Sequence, residues 1–137
     1  MSRYVDWYGN GERRQNWATP KDLFDRLNNE YRFTMDGASE PGNGLLAKAS
    51  TADSPLPWCG ERVFCNPPWS NILPFVEKSK DAELAVLLVP ARTNCRWFHR
   101  ALELGATAKF FKPKPKFVGA KHTSPVDCLL LVFGETP

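Results

Sequence analysis

Asn66-Pro67-Pro68-Trp69, directly after the short run Arg62-Val63-Phe64-Cys65, is the stretch whose residue types could do chemistry. Val63 and Phe64 suit a buried strand, and two prolines then forbid both its continuation and an immediate helix. The strand therefore ends in an Asn amide, a carbonyl on Pro67, which itself donates nothing, and the large aromatic face of Trp69. Such a set can grip a planar amine. An sp² amine such as the exocyclic nitrogen of adenine is a poor nucleophile, because its lone pair is delocalised into the ring. Two acceptors on its two N–H groups would draw the nitrogen towards tetrahedral geometry and offset the positive charge it gains on attack. The same residues also suit a plain strand-ending Pro-Pro turn with an Asx cap.

The elements on either side predict the scaffold. Thr19 as N-cap, Pro20 at the first helical position and Asp22 in the first turn start a helix whose apolar face is Leu23, Phe24 and Leu27, ending near Asn28 or Asn29. Tyr31 to Asp36 alternates as a strand does and breaks into Gly37-Ala38-Ser39-Glu40-Pro41-Gly42-Asn43-Gly44. A strand followed by such a turn is where doubly wound sheets bind nucleotide-like ligands, and Asp36 would sit near a cationic end. Leu45 to Ala49 reads as a short helix or a reduced second strand. Asp53 lies 17 residues beyond Asp36, about where an acid meets a cofactor ribose in dinucleotide sites, although a loop Asp is also simply solvated. Trp58 reads as a core plug.

Ile72 to Ser79 reads as a short helix, and Leu84 to Val89 as a strand covered on both faces. Ala91-Arg92-Thr93-Asn94 opens a helix carrying Trp97, Phe98, Ala101 and Leu102, and Gly105 closes it. Arg92 at that turn suits either a substrate phosphate or an internal carboxylate. Ala106 to Phe111 and Asp127 to Phe133 are the last strands. The loop between them carries Lys112, Lys114, Lys116 and Lys121 with Phe117. Lysines beside aromatic planes fit phosphates and unstacked bases, and equally serve to blunt an exposed edge strand.

With 137 residues, 42% hydrophobic and 24% charged, the chain fits one globular domain. Residues 1–16 read as a flexible arm and 17–137 as the domain. No apolar run approaches the roughly 18 residues of a membrane span, and the N-terminus lacks the apolar stretch of a signal peptide, so a cytoplasmic protein with no membrane partner is expected. Cys59, Cys65, Cys95 and Cys128 form no C-x-x-C pair, and His99 and His122 stand at no ligand spacing from them, so reduced thiols and no metal are expected. No base in sequence reach activates Cys65. Residues 91–122 hold eight Lys or Arg against Glu103 alone, while the whole chain is +3, so the remainder is net acidic. A basic C-terminal third fits a polyanion partner.

Asn66-Pro67-Pro68-Trp69 resembles the (D/N/S)-P-P-(Y/F/W) motif of S-adenosylmethionine-dependent amino-methyltransferases. With Trp17-x-Thr19-Pro20, Met35-Asp36-x-Ala38-Ser39, Trp58, and Pro90-Ala91-Arg92-Thr93 followed by Trp97-Phe98, the chain is similar to the phage-type DNA N-6-adenine methyltransferases, in their order and from Trp17 onward. The resemblance implies a reduced Rossmann-like α/β methyltransferase fold, a mostly parallel sheet with an antiparallel last strand. It implies S-adenosylmethionine as cofactor, lined by Trp17, Thr19, Pro20 and Asp36, and DNA as partner. A flipped adenine would stack on Trp69 and give its amine hydrogens to Asn66 and Pro67, with no metal. Gly37 stands where the family often has Ala, the second-strand region is compressed, and no separate target-recognition region is evident. Enzymes that methylate a protein glutamine amide share the motif, and a non-catalytic DNA- or partner-binding protein on the same scaffold is the reading of another class.

Overall fold

The computed structural model describes residues 19–39, 44–110 and 127–135. They form helix α1 (Lys21–Tyr31), strands β1 (Met35–Ser39), β2 (Ala49–Thr51) and β3 (Arg62–Cys65), helix α2 (Leu73–Ser79), strand β4 (Leu84–Pro90), helix α3 (Arg96–Glu103), and strands β5 (Thr107–Phe110) and β6 (Cys128–Phe133). The strands make one sheet in the order β2-β1-β3-β4-β6-β5. β1 to β4 run parallel, and β6 inserts between β4 and β5 antiparallel to both. This is the expected α/β architecture with its last strand reversed. The chain goes from β1 to β2 on one side and then crosses to β3 on the other. The strand order therefore reverses between β1 and β3, and the crevice outside their carboxyl ends is where such sheets take ligands.

The apolar runs explain the centre of the sheet. All seven residues of β4 and all six of β6 are buried, as strands covered on both faces must be. On one face α1 buries Leu23, Phe24, Leu27 and Tyr31. Phe24 meets Phe64 of β3 edge-on at 5.4 Å, and Phe33 lies 5.8 Å from Phe24. α2 and α3 are joined by Arg100, whose Nε and Nη2 donate to the two oxygens of Glu77 at 2.6 and 3.2 Å.

Several boundaries differ from the sequence reading, each for a tertiary reason. α1 runs past Asn29, because Tyr31 continues its buried face, and stops at Arg32 with φ 58°, a left-handed cap. Nε of Arg62, at the start of β3, donates to the Tyr31 carbonyl at 2.9 Å and satisfies the open end of that helix. Tyr31 and Arg32 are thus spent on the helix, and β1 begins only at Met35 and includes Gly37 to Ser39. α3 starts at Arg96, not at Ala91, because the preceding turn is tied back: the Arg92 N–H donates to the Pro90 carbonyl and the Ala91 N–H to the Asp127 carbonyl, each at 2.8 Å. Leu45 to Lys48 form no helix, and the second strand is the three-residue β2. The arm expected over residues 1–16 lies outside the described residues. Among the described residues no helix is long and apolar enough to cross a membrane.

Candidate active site at the carboxyl edge of the sheet

β3 ends at Cys65, so Asn66 stands just outside the sheet at the β1/β3 reversal. The register, Asp36 opposite Phe64, brings the end of β1 alongside it. Pro67 is buried and Pro68 half-buried; the Pro68 carbonyl accepts the Asn71 N–H at 3.0 Å in a turn that delivers α2. No described residue donates a hydrogen bond to the Pro67 carbonyl. Asn66 and Pro67 therefore put a side-chain amide and a main-chain acceptor next to each other at the crevice.

The structure brings Thr19 to Asn66. Asn66 Nδ2 donates to Thr19 Oγ1 at 3.2 Å, and Thr19 is 5% exposed. The sequence reading of Thr19 as N-cap of α1 is corrected here: the cap position falls on Pro20 and carries no side-chain cap hydrogen bond. The hydroxyl is used across the fold instead. Pro20, half-buried, starts the helix through its carbonyl, which accepts the Phe24 N–H at 3.0 Å. Trp17 lies outside the described residues.

Trp69 does not present the open face that the sequence suggested. It is 7% exposed, and its indole N–H donates to the Leu88 carbonyl of β4 at 3.3 Å. Its packing fixes the end of the motif against the central strand. Cys65 beside it is fully buried, and burial first and the Asp36 charge second push its thiol well above the ordinary range, so it is no nucleophile.

Asp36 is 2% exposed and holds the turn beyond β1: its two oxygens accept the N–H groups of Ala38 at 3.1 Å and Leu45 at 3.0 Å. Burial raises its pKa, against which those two hydrogen bonds act. Asp53 is exposed, just beyond the carboxyl end of β2 in the turn closed by Thr51 and Ser54. Two acids thus flank the crevice side of β1 and β2. Trp58 is the core plug expected, 2% exposed and packed on Phe75, and its indole N–H finds no acceptor among the described residues. No disulfide joins Cys59, Cys65, Cys95 or Cys128, and among the described residues no cluster of three or more His, Cys, Asp or Glu could hold a metal.

Arg92 is exposed just beyond the carboxyl end of β4, at the same edge as Asn66. Lys112, Lys114, Lys116 and Lys121 lie outside the described residues. Two charges of the basic third are spent inside the fold. Lys109 Nζ reaches Glu135 at 2.7 Å and the Tyr31 hydroxyl at 3.0 Å, and Arg100 holds Glu77. Sequence reasoning missed Phe110, 74% exposed at the end of β5; its register opposite Leu129, which itself faces Val89, places it at the carboxyl edge too. Its signal was its place as the last strand residue before the basic loop. A cavity of about 570 Å³ lies at the opposite edge, lined by Tyr31, Arg62, Glu83 and Glu135 and not by Asn66.

The family model of DNA N-6-adenine-methyltransferase (Dam) matches residues 9–130 of the chain, a span that includes every described site residue above except Glu135. No curated protein matches the chain.

Proposed function

The chain belongs to the DNA N-6-adenine-methyltransferase family, and from that premise we propose that it transfers the methyl group of S-adenosylmethionine to the exocyclic amine of adenine in DNA, with little sequence preference. The observation that carries this reading is the pair of acceptors, Asn66 and the Pro67 carbonyl, at the β1/β3 reversal.

The donor set beside them fits the cofactor. Asp36 is a carboxylate that burial penalises, so a cationic ligand near it would offset that penalty. The exposed Asp53 beyond β2 suits ribose hydroxyls. Asp36, Asp53, Thr19 and Pro20 would hold the cofactor, with Trp17. When bound, S-adenosylmethionine supplies a methyl group on a sulfonium sulfur that leaves as a neutral thioether.

The chain's own part is positioning and electrostatics. An adenine cannot be reached inside a duplex, so it is extruded into the crevice. Asn66 Oδ1 and the Pro67 carbonyl accept the two amine hydrogens and offset the positive charge that nitrogen gains, before a proton leaves to solvent. Trp69, pinned to Leu88, anchors the motif against β4 and so holds Asn66 and Pro67 in place. Arg92 and the lysines at 112, 114, 116 and 121 neutralise phosphates.

Calorimetry with S-adenosylmethionine and transfer of tritiated methyl to DNA test the reading. Wild-type protein binds and transfers. Asn66→Ala keeps its cofactor affinity and loses roughly 10²- to 10³-fold in rate, the scale of one lost hydrogen-bonding group at a charge-developing centre. Near-normal transfer by that variant removes the mechanism. A wild-type protein that binds DNA but no cofactor is a binding protein on a methyltransferase scaffold.

A further inference from the structure

We infer that Phe110 is a wedge for DNA: its ring enters the base stack at the gap that the extruded adenine leaves and covers the base faces bared there. The inference deepens the proposed reaction and rests on it for the origin of the gap.

Phe110 is 74% exposed, whereas the other large apolar side chain left exposed among the described residues, Leu102, is at 44%. Successive strand residues point to opposite faces of a sheet. Lys109 reaches the Tyr31 hydroxyl on α1 at 3.0 Å, so Phe110 faces the side away from α1, and nothing there covers it. A ring kept in water at the end of a strand is available to an apolar partner.

Its place is the edge that holds Asn66. Phe110 pairs with Leu129, which faces Val89, while Cys65, one residue before Asn66, pairs with Leu87. The two residues therefore stand at nearly the same height, three strands apart in the order β3-β4-β6-β5. At a spacing of roughly 4.8 Å between strands that is about 14 Å. Aromatic rings stack at roughly 4.5–7 Å between centroids, so a base gripped at Asn66 is out of reach of Phe110. Extrusion leaves the neighbours of that base unstacked, and Phe is among the apolar side chains that enter opened base steps.

Charge selects DNA over a second copy of the chain. Between Glu103 and Asp127 the sequence has no acid and five lysines. Arg96, the first residue of α3, is exposed and forms no ion pair among the described residues. Two copies meeting at Phe110 would bring like charges together, whereas phosphates neutralise them.

The test uses the full chain and three probes: an intact duplex, the same duplex with one abasic position, and that duplex with 2-aminopurine beside the abasic position. The abasic position is a gap already open, so neither cofactor nor turnover is needed. Wild-type protein is expected to bind the gapped duplex about tenfold more tightly than the intact one, on the scale of one base stacked on an aromatic ring. It should also dim the 2-aminopurine, whose emission falls when a ring stacks on it. Phe110→Ala is expected to lose both the preference and the dimming, and Phe110→Trp to keep both. The urea midpoint of Phe110→Ala should equal that of wild type; a lowered midpoint would mean that the ring is packed, and overturns the inference. A wild-type protein that binds the two duplexes equally or binds neither overturns it, as does a Phe110→Ala variant that keeps the preference or the dimming. A wild-type dimer in sedimentation that Phe110→Ala dissolves assigns the ring to a second copy, and also overturns it. Absence of methyl transfer counts against the proposed reaction alone, because the gap is read without it.

Discussion

Gly37 and Trp58 share one space: a Cβ on Gly37 would lie 2.6 Å from Cζ2 of Trp58 and 2.7 Å from Cγ1 of Val63. The small residue in the middle of β1 is what lets the indole plug lie against the sheet. Gly suits this position because the core has filled the room a Cβ would need. Gly37→Ala is therefore expected to destabilise by about 1–3 kcal/mol through overpacking. In a Trp58→Phe background the added cost should shrink, since the two side chains compete for the same volume. Urea denaturation of the four proteins measures it; an alanine that is neutral on its own contradicts the packing argument.

How much of this was legible beforehand divides along physical lines. β4, β6, α2 and the strand leading to Asn66 were readable, because an apolar run between prolines, glycines or charges decides them locally. The end of α1 was not, because Tyr31 is held by Arg62, far away in sequence. Thr19 carried a correct local signal for a cap, but a partner at Asn66 outcompeted it. Lys109 looked like part of a basic surface and is paired with Glu135 instead. The motif's place at the end of a strand was predictable, whereas its position at the sheet reversal and the burial of Trp69 depended on what packed around it.

Asp36 gives a pH prediction. Burial raises its native pKa above the ordinary 3.8, so the folded state binds that proton more readily than the unfolded one. The stability it contributes is fully present below that ordinary value and is lost as the pH rises through the raised one. Asp36→Asn does not titrate, and it turns an NH₂ towards the Ala38 or Leu45 N–H, so it should be less stable than wild type in acid. The gap should narrow as the pH rises. Urea midpoints of both proteins between about pH 4 and pH 7 check the sign; a gap that widens with pH contradicts it.

Trp69 separates fold from function. Its burial and its bond to the Leu88 carbonyl predict a core-sized cost for Trp69→Ala, about 3–5 kcal/mol. This reverses the expectation of a sequence in which the ring ends a strand in the open. Trp69→Phe keeps a ring and gives up the N–H bond, so it should fold and retain much of any methyl transfer. Denaturation midpoints of the two variants decide: an alanine variant close to wild type in stability would mean that the indole is not part of the core.

Little sequence preference is expected of the methyl transfer. Direct readout needs side chains held rigidly against base edges, each good bidentate contact discriminating by about 1–3 kcal/mol. At the carboxyl edge the residues after β3 are committed to the Asn66 to Asn71 turn, and those after β4 are tied to Pro90 and Asp127. Phe110 and Arg92 also stand at that edge, and the sequence adds the lysines at 112, 114, 116 and 121, outside the described residues; lysines act on phosphates as point charges that carry no sequence information. Binding should then fall steeply with salt, by a slope of about 0.9 for each phosphate neutralised. Replacing those four lysines by Gln should flatten the slope, whereas Lys109→Gln should leave it unchanged, because that charge is held by Glu135. Mapping of methylated adenines at single-base resolution, on DNA treated with the purified protein, should show marks in many contexts. Marks confined to one short motif would mean that bases are read by residues placed here in the core or in turns, and a salt slope that follows Lys109 would put that lysine on the DNA.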